Sequence, residues 1–274
     1  MSRSRLIVCA DDFGLDDAVN EAVERAARDG ILTAASLMVG APAAADAVAR
    51  VRRLPRLRVG LHLDLVEGCP VAPAETVPDL VGADGRFRGD LARAGVRFFF
   101  SPAARAQLAR EIRAQFAAFR ATGLALDHVN AHRHMHLHPT VGRLAIAIGV
   151  AFGMRALRVP AEPVALLRRA GGTRADLAFA VAHAPFAALL RRRARAAGLV
   201  ANDRLLGLAW TGAMTEARLL RLLEDLPAGV SELYAHPAAR PGPGGEELAA
   251  LTSAAVRRRV AALGIPLGGY GDSD

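Results

Sequence analysis

Residues 5–14 read Arg-Leu-Ile-Val-Cys-Ala-Asp-Asp-Phe-Gly. The apolar part of this stretch has the length of one buried strand, and it ends abruptly at two carboxylates, Asp11 and Asp12. Apolar residues then recur at helical spacing from 15 to 26, with Asp16 in the position of a helix cap. A strand that leads directly into a helix is the unit of an α/β fold, which places catalytic groups at the carboxyl ends of its strands. Because Asp11 and Asp12 come too early to cap the helix, we interpret them as functional residues.

The same alternation of strand and helix continues along the chain. Further strands are predicted at 33–39, 57–65, 126–132, 156–159, 205–210, 231–235 and 265–267. Helices are predicted at 43–54, 103–122, 139–152, 215–226 and 246–263. This alternation predicts one α/β domain over residues 1–274, a (β/α) barrel or a distorted TIM-like barrel with seven or eight parallel strands.

The composition limits the classes of function that the chain can serve. All 35 basic residues are arginine, which excludes lysine Schiff-base chemistry and the lysine-bearing phosphate loop. The formal net charge of +8 would suit nucleic acid, but Tyr and Trp are scarce and no recognition motif occurs, so no nucleic-acid partner is predicted. Two cysteines, Cys9 and Cys69, form no disulfide framework, and the apolar run 6–10 is too short for the core of a signal peptide. A cytoplasmic localisation is therefore predicted.

Histidine is concentrated in residues 128–138, which read His-Val-Asn-Ala-His-Arg-His-Met-His-Leu-His. In an extended segment the even-numbered side chains would share one face, and neutral imidazole is the commonest metal ligand near neutral pH. A solvated histidine tract is the alternative, but this run lies between helical patterns and ends at Pro139, which suits the start of a helix. One strand cannot surround an ion with every histidine, so we expect one or two ligands, and the others would bind substrate, orient the ligands or stabilise the fold.

Other polar groups follow the predicted strands at the same edge. His62 and Asp64 lie on one face of 57–65, and His236 follows 231–235. One carboxylate and two histidines make an open site that leaves a position for water, as a catalytic metal requires. A second carboxylate would serve as general base and a separate histidine as general acid. This inventory predicts metal-assisted hydrolysis of an amide, an ester or a phosphoester by one divalent ion, with zinc favoured and magnesium or manganese as alternatives.

Four motifs resemble those of the YdjC-like carbohydrate deacetylases, the chitooligosaccharide deacetylase (ChbG) family. They are Ala10-Asp-Asp-Phe-Gly-Leu15, Gly60-Leu-His-Leu63, the run 128–136 and Ala235-His-Pro237. Stretches at 34–39, 66–68 and 95–100 are similar to one branch of the family, the hopanoid-biosynthesis-associated deacetylase HpnK. The resemblance runs in order over most of the chain.

The resemblance implies a role for each residue that matches a family motif. Asp12, His62 and His132 would bind the metal, while Asp11 would be the general base and His236 the general acid. The implied reaction removes the acetyl group from an N-acetylated amino sugar. An N-acetylglucosaminyl hopanoid is the implied substrate, and a soluble chitooligosaccharide is the alternative.

The histidine run departs from the family pattern of His-x-Asp-Ser followed by three histidines. Asn130, Ala131 and Arg133 stand at the differing positions, whereas His132 and His134 are retained. The predicted metal site is therefore retained. The soluble oligosaccharide becomes the weaker of the two substrate predictions. Three histidines of the run are predicted to bind substrate: His128, His134 and His136.

Two segments lack a clear strand or helix pattern. Residues 66–100 are rich in turn signals and are predicted to form a lid or a substrate loop. Residues 161–204 carry eight arginines against three acidic residues around the apolar stretch 177–190. They could be two ordinary surface helices, or a basic amphipathic insertion that faces the substrate or an anionic membrane surface. The second interpretation predicts peripheral contact with the inner face of the cytoplasmic membrane. Its basic cluster is Arg191, Arg192, Arg193 and Arg195.

Two other functions fit parts of the pattern. A barrel-type metallophosphoesterase also clusters His and Asp, but such sites commonly hold two or more ions and need more carboxylates than the motifs supply. A non-enzymatic carrier of a sugar-bearing lipid would use 161–204 and a purely structural metal, yet it would not require the adjacent pair Asp11 and Asp12. The sequence indicates no oligomeric state.

Overall fold

Parallel strands form the centre of the computed structural model, which describes residues 5–224 and 226–272. The strands are β1 (Arg5–Phe13), β2 (Ala34–Leu37), β3 (Arg58–Leu63), β4 (Val129–Ala131), β5 (Arg204–Leu206) and β6 (Val230–Ala235). They form one six-stranded sheet in the order β4-β3-β2-β1-β6-β5, so that β1 lies between β2 and β6. This order brings the carboxyl ends of β1, β3, β4 and β6 to one edge of the sheet.

Helices connect the strands, as parallel pairing requires. They are α1 (Asp17–Asp29), α2 (Ala44–Val51), α3 (Leu91–Phe100), α4 (Pro102–Ala121), α5 (Pro139–Ala151), α6 (Val164–Arg169), α7 (Arg174–Ala196), α8 (Glu216–Leu222), α9 (Pro243–Thr252) and α10 (Ala254–Leu263). Short 3-10 segments lie at Ala74–Thr76, His132–Leu137 and Leu208–Trp210.

The first strand-helix unit forms as the sequence predicts. Residues 6–10 of β1 are all buried, as expected for a central strand of a parallel sheet that is covered on both faces. Helix α1 begins after Asp16 because the Asp16 carboxylate accepts a hydrogen bond from the Val19 backbone N–H at 2.9 Å. One face of the helix joins the same core as β1 through Val19, Ala22, Val23 and Ala26.

The α/β class and the parallel sheet are confirmed, but the closed barrel of seven or eight strands is wrong. The sheet is a curled half-barrel of six strands. The segment 156–159 pairs with the backbone of its neighbours through isolated bridges and does not form a strand of the sheet. At Val159 the side chain of Asn202 takes the place of a partner strand, since its Oδ1 accepts from the Val159 N–H at 2.7 Å and its Nδ2 donates to the Val159 carbonyl at 3.0 Å.

The last predicted strand, 265–267, also fails to form. Leu267 makes one isolated bridge to Leu6. Pro266 has no N–H to donate, although its carbonyl accepts a hydrogen bond from the Leu6 N–H at 3.0 Å. A segment with a central proline can therefore add a single bridge to the sheet but cannot extend the ladder.

The two segments without a pattern contain more helix than the sequence suggests. The last part of 66–100 is α3, which begins where the Asp90 carboxylate accepts a hydrogen bond from the Arg93 N–H at 3.0 Å. Residues 161–204 contain α6 and α7, as the interpretation of two surface helices predicts. Helix α7 starts with a capping box between Thr173 and Asp176 and continues past Pro185.

Two other element boundaries differ from prediction. The helix expected at 246–263 is divided into α9 and α10 at Ser253, whose hydroxyl accepts hydrogen bonds from two N–H groups at the start of α10. The strand expected at 205–210 is limited to β5, and a 3-10 segment follows it. Across the described part of the chain, every helix is too short or too polar to span a bilayer.

Candidate active site

Side chains from separate strand ends meet at one edge of the sheet. Asp12 comes from the end of β1, His62 from β3, and His132 follows β4. The Asp12 Oδ1 atom lies 3.2 Å from His62 Nε2 and 2.9 Å from His132 Nδ1. The three residues predicted as metal ligands are thus brought together, with one donor atom of each within 4.8 Å of the others.

The orientation of His62 is fixed by Asn130. The Asn130 amide nitrogen donates to Asp11 Oδ1 at 3.2 Å and to Ser36 Oγ at 2.9 Å, so its carbonyl oxygen must face His62. That oxygen is 2.6 Å from His62 Nδ1, which is therefore the protonated nitrogen. The lone pair of Nε2 then points at Asp12, and this buried atom has no hydrogen-bond partner. An unpartnered imidazole nitrogen beside a carboxylate and a second imidazole fits the donor set of a divalent metal such as zinc.

Asp11 lies deeper than Asp12 and is held by a buried arginine that was not singled out from the sequence. Arg158 donates to both carboxylate oxygens of Asp11, at 2.5 Å and 2.8 Å. It also contacts Glu232 on β6 at 2.7 Å, and the Tyr270 hydroxyl donates to the same glutamate. Burial alone would raise the pKa of Asp11, but the charge of Arg158 and its hydrogen bonds outweigh burial and hold the pKa well below its usual range. Asp11 is therefore an ionised, immobile carboxylate.

His236 follows β6 and faces the same pocket as the two aspartates. Its backbone N–H donates to the Glu247 carboxylate, which fixes the turn after the strand. The ring lies 5.4 Å from the ring of Tyr234, and its buried Nδ1 has no hydrogen-bond partner. Asp11, Asp12 and His236 all line a pocket of about 270 Å³.

The histidine run is not the extended segment that the sequence predicts. Only residues 129–131 are strand, and the 3-10 segment His132–Leu137 follows at once. Arg133 and His134 have φ angles of 54° and 52°, in the left-handed region that side chains normally avoid. This kink rotates successive side chains away from one another, so the even-numbered histidines do not share a face.

The structure separates the three histidines predicted to bind substrate. His128 is fully buried, with Asp127 2.9 Å from one ring nitrogen and Ser36 3.0 Å from the other. His136 is also buried and donates to the Arg158 carbonyl at 3.1 Å; burial and the Arg158 charge lower its pKa to about 3, which keeps it neutral. Neither ring can contact a ligand in this conformation, because neither has exposed surface. His134 alone of the three reaches a pocket.

Backbone strain is concentrated at this site. Among the described residues, four that are not glycine have positive φ angles: Asp12 (62°), Glu67 (72°), Arg133 (54°) and His134 (52°). All four are in the site or contact His132 or its neighbours. Such conformations cost on the order of 1–3 kcal/mol each and persist where the surrounding structure imposes them, which is typical of functional sites.

A second, larger cavity adjoins the site. This groove, of about 810 Å³, runs between α3, the histidine run and α7. Its apolar walls include Leu91, Leu137, Phe179 and Phe186. His134 and Thr211 are among its lining residues, and the next residue, Gly212, lines the pocket of Asp11 and His236. Adjacent residues of one loop therefore line the two cavities.

The family of this chain is identified by comparison with known protein families. A sequence profile of the family described as YdjC-like protein matches residues 5–262. The chain belongs to the YdjC-like family. The resemblance carried by the motifs is thus confirmed at the level of the family, whereas the closeness of this YdjC-like chain to the HpnK branch stays a prediction.

Curated relatives of this YdjC-like chain are named carbohydrate deacetylase. The relative from Mus musculus is 36% identical over 254 residues, which cover 86% of this chain and 78% of that protein. The relative from Homo sapiens is 33% identical, with coverage of 99% and 92%. The match to a Brevibacillus brevis relative, 41% identical over 137 residues, covers 50% of this chain and 52% of that one, so it spans about half of each protein.

A solved structure shares the fold. It comes from Enterococcus faecalis V583, is described as a candidate cellobiose-phosphate cleavage protein, and has a TM-score of 0.75 over 98% of both chains. The sequence identity is 23%. The curled α/β architecture of this YdjC-like chain is therefore one that a crystal structure already displays.

Proposed function

We propose that this YdjC-like protein is a metal-dependent hydrolase that removes the N-acetyl group from an N-acetylated amino sugar. The observation that carries the proposal is the convergence of Asp12, His62 and His132 beside a second carboxylate, Asp11, and a half-buried imidazole, His236. The names of the mouse and human relatives, both carbohydrate deacetylase, support the same chemistry.

Asp12, His62 and His132 would hold the metal. When bound, a divalent ion would polarise the acetamide carbonyl and make an attacking water more acidic. Zinc is favoured for this set of one carboxylate and two imidazoles, and magnesium or manganese are the alternatives. Chelation followed by re-addition of single metals, with acetate release as the readout, tests which ion restores turnover.

Asp11 is the proposed general base. Arg158 keeps its carboxylate ionised at any working pH and fixes both oxygens, so the group is oriented before substrate arrives. A carboxylate with a depressed pKa is a weak base, and it therefore depends on a water that has already been made acidic. Asp11 would take the proton of that water as it attacks the acetamide carbon.

His236 is the proposed general acid. It lies in the same pocket as Asp11, and its ring has a nitrogen that no protein group occupies. A protonated imidazole there would donate to the departing amine, which otherwise leaves as an unstable anion. Asp11 and His236 thus divide the two proton transfers between two separate groups.

Acetate release from an N-acetylglucosamine derivative tests these roles. Asp11→Asn and His236→Ala should each lower kcat by about 100-fold or more while metal content is unchanged. Asp17→Asn, an exposed carboxylate in the first turn of α1, is the matched control and should keep full activity. Near-wild-type rates in both active-site variants would refute the assignment.

We also propose that the amino sugar carries an apolar aglycone, with an N-acetylglucosaminyl hopanoid as the favoured substrate. The apolar groove supports this proposal, because it is lined by His134, two residues from the proposed ligand His132, and so could accept the non-sugar part of a substrate whose acetamide lies at the metal. A soluble chitooligosaccharide, the alternative, would leave Phe179 and Phe186 in contact with water. Acetate release across N-acetyl sugars with and without a lipid aglycone distinguishes the two substrates.

Peripheral membrane contact is a further part of this proposal, and the structure limits which arginines could serve it. Arg191 donates to the carbonyls of Asn202 and Asp203, and Arg193 donates to the Pro139 carbonyl. These two side chains stabilise the fold. The exposed Arg192 and Arg195 remain available to an anionic surface.

The metallophosphoesterase alternative has weaker support. It would need a second ion, and among the described residues a second group that could hold one is Cys9, His128 and Glu232. All three are buried, and His128 and Glu232 are already bonded within the core. We therefore expect one ion per chain, and two or more ions in the purified protein would favour the phosphoesterase.

A further inference from the structure

Glu67 contacts the remote side of a proposed metal ligand. His132 presents Nδ1 to Asp12 Oδ1 at 2.9 Å, and its other nitrogen, Nε2, lies 3.2 Å from Glu67 Oε2. The second oxygen of Glu67 is 3.1 Å from Arg133 Nη2. His132 is thus held between two carboxylates, one from β1 and one from the segment that follows β3.

The backbone at Glu67 is strained in a way that serves this contact. Its φ angle is 72°, and the Gly68 N–H donates to the Val66 carbonyl at 2.9 Å, which together define a γ-turn with positive φ, a rare and strained conformation. Arg86 clamps the turn from outside, because its guanidinium donates to the Glu67 carbonyl at 3.0 Å.

The buried Asp64 carboxylate also holds the turn, through the backbone of Val66. Its Oδ1 accepts a hydrogen bond from the Val66 N–H at 3.2 Å, and its Oδ2 lies only 1.6 Å from the place where a Cβ on Gly68 would be. Only glycine fits at position 68 with the carboxylate in that place. The turn is therefore imposed by contacts on both sides, and it delivers the Glu67 carboxylate to His132.

The two contacts decide which nitrogen of His132 can bind the ion. An ionised carboxylate can only accept, so each contact of the metal-free ring uses a proton on the nitrogen concerned. Nδ1 faces Asp12 Oδ1, which also contacts His62 Nε2, so an ion held by these groups would replace the Nδ1 proton, whereas Glu67 would keep the proton on Nε2. A carboxylate on the remote N–H of a ligating histidine fixes its tautomer and makes it a stronger donor. The other imidazole is arranged in the opposite sense, since His62 is protonated at Nδ1 by its contact with Asn130 and offers Nε2.

We propose that Glu67 is a positioning residue for the metal site: it holds His132 so that Nδ1, and not Nε2, binds the ion. The inference rests on the proposed metal site, but it does not depend on the substrate or on the reaction. It connects the 66–100 segment, which the sequence predicts to be a lid or a substrate loop, to the proposed ligands through one side chain.

Zinc affinity of the full-length protein tests the proposal. Glu67→Ala should weaken zinc binding by about 10- to 100-fold in a competition titration with a chromophoric chelator. Glu67→Gln should restore most of the affinity, because its amide oxygen can still accept the Nε2 proton. Glu75→Gln, an exposed glutamate in the same segment, is the matched control and should bind zinc like the wild type.

Histidine NMR of the zinc-loaded protein separates positioning from general stabilisation of the fold. Long-range ¹H–¹⁵N correlations should identify Nδ1 as the metal-bound nitrogen of His132 and Nε2 as the protonated one. Zinc bound at Nε2, or an affinity of Glu67→Ala within twofold of the wild type, would overturn the inference. A wild type that binds zinc but releases no acetate would instead refute the proposed reaction and leave the role of Glu67 intact.

Discussion

The floor of the site and the groove beside it come from different parts of the fold. The floor consists of side chains at strand ends: Asp11, Asp12, His62, His132 and His236. It is polar, largely buried and backed by strained backbone. The groove lies between helices α3 and α7 and the histidine run, and its aromatic residues Phe179 and Phe186 are 41% and 47% exposed. We infer that the strand ends carry the proposed chemistry, whereas the proposed substrate preference depends on the side chains of the groove.

The largest effect is expected at the floor, from Asp12→Asn. Because Asp12 contacts both proposed histidine ligands, the variant should lose bound metal and about 1000-fold or more in acetate release, given that a metal contributes several kcal/mol. Metal analysis and turnover measure the two effects. The loss should be equal for soluble and lipid-linked substrates, and a loss confined to one of them would contradict the division between floor and groove.

The second prediction concerns Arg158, the buried arginine that contacts Asp11. Arg158→Met leaves Asp11 and Glu232 as buried carboxylates without a cation, so the free energy of unfolding should fall by about 3–5 kcal/mol. Urea denaturation measures the change. Arg143→Met, an exposed position on α5, is the control and should change stability by less than about 0.5 kcal/mol. A similarly small change for Arg158→Met would show that the charges in the core are not mutually dependent.

The third prediction isolates the groove. Removing two half-exposed aromatic rings with Phe179→Ala and Phe186→Ala should raise KM for a lipid-linked substrate by about tenfold, because part of the apolar contact area is lost. The KM for a short soluble N-acetylglucosamine derivative should stay the same. Val181→Ala, also exposed on α7, provides the control. An equal loss of activity on both substrates would mean that α7 stabilises the residues of the floor and does not act on the lipid part alone.

The smallest effect is expected at the surface of α7. One arginine near an anionic bilayer contributes about 1 kcal/mol, so Arg192→Gln should weaken sedimentation with anionic liposomes by about fivefold. Arg25→Gln, exposed on α1, should not change it. Binding by the wild type that does not respond to salt, or an identical decrease in both variants, would argue against a specific membrane-facing surface.

The sequence predicts the residues of the floor better than Arg158 and Asn130, which hold those residues in place. There is a physical reason for this difference. Asp12 and His62 each lie at a short apolar run, and His132 lies in the histidine run, so these residues are recognised from their neighbours in the sequence. Arg158 and Asn130 act through contacts with residues 147 and 119 positions away, respectively, which no local pattern records.

The kink in the histidine run escapes prediction for a different reason. Positive φ is uncommon for residues other than glycine, and at Arg133 and His134 the surrounding contacts impose it. Alternation along the sequence therefore suggested a strand, and with it a common face for His128, His134 and His136. Helix α3 was missed because Gly95 lies in its middle, and glycine ordinarily disfavours a helix interior.

The position of β1 between β2 and β6 also bears on how the chain is synthesised. Residues 5–10 emerge from the ribosome long before residues 230–235, which are their register partners on one side. Until then β1 has one edge of unpaired N–H and C=O groups, and Glu232 has not yet joined Arg158 and Asp11. An unpaired edge invites pairing with another chain. We therefore expect nascent chains stalled before residue 230 to aggregate or to require a chaperone until β6 pairs with β1.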